Sequence, residues 1–102
     1  MTTTQTKGYR KLQGQVRSIL PVIESAVRES TNGIVMIANV SIPSTEAKQL
    51  LEEFREIVES TQMPALNMEV IPMKLLASDY AFRDIQQTMN QFRREGADDM
   101  AR

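Results

Sequence analysis

Histidine and cysteine are both missing from these 102 residues, which removes most familiar catalytic chemistry at the outset. Thiol nucleophiles, His-based triads and structural zinc each need one or the other. Acid–base work would fall to Asp, Glu, Lys or Tyr, and outside the charged helix faces the candidates are Tyr9, Tyr80, Asp79 and Lys74. No motif joins them. A carboxylate set could still take a hard cation, but the residues suggest no ligand spacing. The expectation is a non-enzyme with no cofactor and no metal.

Charge supplies the next candidates. Lys7, Arg10, Lys11 and Arg17 stand in the first 23 residues with no acid among them, whereas the whole chain carries −1. On a helix these four fall roughly on one polar side, a footprint that could meet nucleic-acid phosphates or an acidic protein surface. The remaining residues are net acidic and would repel a polyanion. Glu46, Glu52, Glu53, Glu56 and Glu59 follow as the outer face of a second helix. Carboxylates on a solvated face lack the desolvated cleft that acid–base catalysis needs. Asn39, Ser41, Ser44, Thr45, Lys74, Ser78 and Asp79 would gather at the strand ends, yet neither strand-to-helix connection has the glycines of a phosphate loop. Arg83, Arg93 and Arg94 read as helix-end charges, with Arg83 spaced to pair with Asp79.

Seven methionines are the least ordinary part of the composition. Flexible thioethers suit adaptable contact surfaces and also fill gaps in a core with few aromatics. Met36 and Met89 read as core. Met63, Met68 and Met73, with Val70 and Tyr80, lie around a proline-marked edge and form the candidate partner interface.

The elements that would position these groups follow from periodicity. Tyr9, Leu12, Val16, Ile19, Leu20, Ile23 and Val27 recur at helical spacing, which predicts a first helix interrupted or kinked at Pro21. Asn32-Gly33 ends it. Ile34–Ile42 reads as one strand bounded by Gly33 and Pro43. Ser44 or Thr45 then caps a helix burying Ala47, Leu50, Leu51, Phe54, Ile57 and Val58. Leu66–Met73 alternates as a second strand, placed at an edge or cut short by Pro72. Ser78 caps a last helix through Phe92, closed at Gly96. Residues 1–7 read as a flexible leader, 8–96 as one domain and 97–102 as a flexible tail.

The expected fold class is therefore α/β, in the order α-β-α-β-α, with a single β-α-β crossover. An all-helical fold with Leu66–Met73 as loop is the alternative. Two strands make a marginal sheet, so the expectation is that dimerisation or another protein completes or covers it. The longest apolar run, Ile34–Ala38, is far short of the roughly 20 residues a membrane span needs. These readings converge on a small soluble, cytoplasmic protein–protein interaction module. It would be homodimeric and act as an accessory or regulatory subunit, or as an inhibitor, of a larger assembly. The alternative is a nucleic-acid-binding regulator using the basic first helix.

Overall fold

A computed structural model of the chain describes residues 2–61, 64–67 and 69–100, with side chains for those between 8 and 92. The element order is α1 (Thr2–Arg28), β1 (Ile34–Ile37), β2 (Val40–Pro43), α2 (Ser44–Glu59), α3 (Met73–Ser78) and α4 (Tyr80–Met100). This is a small mixed domain of helices and one two-stranded antiparallel sheet.

α1 buries the stripe its spacing predicts, with Tyr9, Leu12, Val16, Ile19 and Ile23 all in the core. The helix assignment continues through Pro21. Proline lacks the N–H that would bond the carbonyl of Arg17, and it sits on an exposed face where water can serve that carbonyl instead. The helical backbone starts at Thr2, within the stretch read as a leader.

The expected β-α-β crossover is not present. The run from Ile34 to Pro43 folds into a hairpin rather than one strand, with Val35 paired to Ile42 and Ile37 to Val40. The reversal falls at Ala38-Asn39, whose φ values are 52° and 63°. Two consecutive residues at positive φ are what a two-residue type I′ turn requires, and its twist matches that of the strands it joins. Asn39 tolerates this region, whereas Ala38 is strained there by about 1 kcal/mol or more. Asn32 and Gly33, at 55° and 75°, repeat the device one step earlier. They bring Thr31 against Ile34 through reciprocal backbone bonds of 3.0 and 3.3 Å.

Among the described residues of Leu66–Met73 there is likewise no strand. The Asn67 side chain accepts a hydrogen bond from the Glu69 N–H at 3.1 Å, and the Asn67 carbonyl accepts one from Val70. Asn side chains favour such turns over a ladder. Pro72 then sets the backbone for α3, and its carbonyl accepts from Leu75 and Leu76. The spacing of Leu66 and Val70 is therefore no pleat. Leu66 is partly buried against the core, and Val70 and Ile71 plug into it.

Caps also differ from expectation. Pro43 precedes α2, and no side chain caps the helix. Instead the Ser44 N–H donates to the Gly33 carbonyl at 2.8 Å, extending the hairpin ladder into the helix start. At the other junction Asp79, not Ser78, does the work. Its N–H closes α3 on the Leu75 carbonyl, and its carboxylate accepts from the Ala81 N–H at 2.8 Å. Arg83 does not pair with Asp79; its guanidinium donates to the Leu76 carbonyl at 3.0 Å. Nor does Gly96 end α4, which continues to Met100. Helix is a low-cost state for a glycine that neighbours support, at about 1 kcal/mol relative to Ala.

α1 packs on α2 and α4, and the hairpin packs against α1, α2 and α3. The apolar stripes of the helices are buried within a single copy. One polar lock ties α1 to the end of α2. The Tyr9 hydroxyl donates to the Ile57 carbonyl at 2.6 Å, and Gln13 Nε2 donates to the Ile57 and Ser60 carbonyls at 3.0 Å each. These are carbonyls a helix C-terminus leaves without partners of its own.

Burial pushes the Tyr9 phenol above its ordinary value of 10.0, and the Glu56 carboxylate adds to the shift. The folded chain thus holds this proton more tightly than the unfolded one. That contribution is complete below pH 10 and is lost as pH rises through the folded value. We expect urea midpoints to fall on titration above pH 10. In Tyr9→Phe the fall should be shallower, from a neutral-pH stability lower by about 1 kcal/mol. Parallel alkaline profiles for the two proteins would count against the lock.

Candidate interaction surface

The most conspicuous surface feature arises from the parity of β1. Val35 and Ile37 turn inward and are buried, so Ile34 and Met36 must turn outward; they are 43 % and 56 % exposed. Their cross-strand partners, Pro43 and Ser41, are exposed too. The Ser41 hydroxyl donates to the Met36 sulfur at 2.8 Å and steadies that side chain. Met36 was expected in the core; the hairpin turn places it outside, while Met89 is fully buried.

Beside this face, the C-terminal half of α1 and β1 enclose an open groove of 660 Å³. Val22, Ala26, Ile34, Met36 and Ile37 supply its apolar lining, with Ser25 and Glu29 on the helix side. Val22 is half exposed because it lies about 100° round the helix from its buried neighbour Ile23.

The backbone edge of β1 offers little for strand addition. A two-residue hairpin loop makes Ile37 and Val40 the pair that exchanges hydrogen bonds, so the groups of alternate residues Ile34 and Met36 point away from β2. Thr31 already uses those of Ile34. Met36 alone is left on that edge. Contact through side chains is therefore better provided for than edge pairing.

The residues singled out from sequence are scattered. Met63 and Met68 lie outside the described residues. Val70 is buried in the chain's own core. Met73 is 80 % exposed and borders a smaller recess of 480 Å³ with Glu46, Ile71 and Leu76. Tyr80, at the start of α4, is 75 % exposed beneath the Arg83 guanidinium, 4.7 Å from the ring centre. Met73 and Tyr80 thus do not form one patch with Val70.

Arg10, Lys11 and Arg17 are exposed, and the Lys7 side chain lies outside the described residues. At 100° per residue Arg17, Arg10 and Lys11 fall within an arc of about 120° of α1, one broad side of the helix. The ion pair in this region is Arg55 with Glu24 at 3.0 Å, both partly solvated and worth little.

Among the described residues no cluster of three Asp or Glu is placed to hold a metal ion, and no helix is long and apolar enough to cross a membrane. Comparison with protein-family models, curated proteins and solved structures finds no match to this chain.

Periodicity alone singles out neither the outward face of β1 nor Val22. The available signal was Asn39: read as the second residue of a tight turn, it would have turned nine apolar-rich residues into a hairpin with one outward apolar row.

Proposed function

We propose that this chain is a protein–protein interaction module, an accessory or regulatory subunit or an inhibitor of a larger assembly. Its docking surface is the outer hairpin face with the adjoining α1 groove. A homodimeric, cytoplasmic and non-catalytic protein belongs to the same reading. The observation that supports it is the exposure of Ile34 and Met36 beside Val22. Large apolar side chains grouped at the rim of a groove mark contact surfaces more often than scattered ones do. A nucleic-acid role is less well supported, because the basic footprint on α1 is small and the rest of the chain is acidic.

The test uses Met36→Glu, a change at an exposed position that should leave the thermal midpoint nearly unchanged. Affinity capture from the native host should recover a defined partner with the wild-type chain and lose it with the variant, about a tenfold or larger drop for a central interface side chain. Equal recovery by both proteins would reject this surface.

A further inference from the structure

We propose that a second copy of this chain docks on the outer stripe of α1, with the two helices antiparallel about a two-fold axis near Leu20. Lys11 of each copy then faces Glu29 of the other. The inference rests on the interaction-module reading and deepens it by naming the partner.

Charge complementarity carries the argument. Lys11 and Glu29 are eighteen residues apart, five turns of a helix, so they lie on one line along α1 about 27 Å apart. The Glu29 N–H still bonds the Ser25 carbonyl at 3.1 Å, so the helical path holds to that point. Both side chains are exposed, and among the described residues neither enters an ion pair. At that separation they cannot reach each other within one copy. Antiparallel pairing about residue 20 brings each into contact range of its opposite.

The positions between them obey the same symmetry, as a two-fold interface requires of a single self-complementary patch. Ser18 meets the partner's Val22, and Gly14 meets the partner's Ala26. A Cβ added at Gly14 would touch nothing within 4 Å, so the backbone there is open to close approach. The Glu29 carboxylate is already oriented, since it accepts from the Ser25 hydroxyl at 3.0 Å on the side of the groove. The partner's Lys11 ammonium then has an oriented carboxylate to meet at Glu29.

Sedimentation equilibrium on the full chain decides the matter, with wild type, Lys11→Glu, Glu29→Lys and the double exchange measured side by side. The wild type should dimerise in a concentration-dependent way. Each single reversal should weaken association about tenfold or more, because it sets like charges together twice per dimer. The double exchange restores both opposite-charge contacts and should return affinity to within about threefold of wild type. Both positions are solvent-exposed, and circular dichroism of each variant checks that the fold is kept.

A wild-type monomer at millimolar concentration overturns the proposal. So does a dimer indifferent to the single reversals, or one the double exchange does not rescue. A monomer that still captures an unrelated partner through Met36 would overturn the self-docking inference and leave the interaction-module reading standing. If Met36→Glu changes no capture while the charge exchange behaves as stated, the docking surface for other proteins fails instead.

Discussion

Ile37→Asp should abolish the fold, whereas Met36→Glu, one residue earlier, should leave it intact. Ile37 is 1 % exposed and Met36 56 %, on opposite faces of a strand only four residues long. A carboxylate at Ile37 would enter the core with no cation beside it. Burying an unpaired ionisable group costs several kcal/mol even when it takes up a proton. About 4 kcal/mol or more is expected, most of the 5 to 15 kcal/mol that typically separates a folded domain from its unfolded chain. At Met36 the change should stay within about 0.5 kcal/mol. Urea denaturation followed by far-ultraviolet circular dichroism reads both. The contrast tests register directly, because a one-residue slip would exchange the two faces. A stable Ile37→Asp protein alongside an unfolded Met36→Glu protein would mean that the hairpin pairs the other way.

Phe54→Ala should be the most damaging truncation in the helical core. Phe54 and Phe82 are both fully buried, and their rings stack with centroids 6.4 Å apart. The pair joins α2 to α4, although nothing in the spacing of either helix says which will meet the other. Removing one ring forfeits its transfer energy and leaves a cavity that the remaining helices fill incompletely. A loss of about 3 to 5 kcal/mol is expected, a fall in thermal midpoint on the order of 15 °C or more. Differential scanning calorimetry with a urea titration would measure it. A loss under about 1 kcal/mol would mean that the α2–α4 contact is not a packed one.

What the chain states locally and what it leaves to packing can be separated residue by residue. The buried stripes of α1 and α2 were legible because helical spacing needs nothing beyond the helix itself: Leu12, Val16 and Ile23, then Ala47, Leu50, Phe54 and Ile57, are buried as their period requires. The sheet was not legible. Ile34–Ile42 satisfies the composition of one long strand, and the reversal depends on Ala38 accepting a left-handed conformation that an alanine avoids in isolation. That strain is tolerated because folding back buries Val35, Ile37 and Ile42 against α1 and α2 at once. Leu66–Val70 misled for the complementary reason. Alternating apolar residues suit a strand, but Asn67 turns the chain and Val70 and Ile71 reach the core from a loop.

The candidate surface divides in the same way. Lys11 and Glu29 occupy one line of α1 by arithmetic that holds for any straight helix. The sequence by itself therefore determined a cysteine- and histidine-free chain, amphipathic at both ends, with two opposite charges five turns apart. Tertiary structure decided that Ile34 and Met36 face outward beside Val22. A strand has two faces of equal claim until a neighbour covers one of them, and here the side of the hairpin on which α1 and α2 packed made that choice.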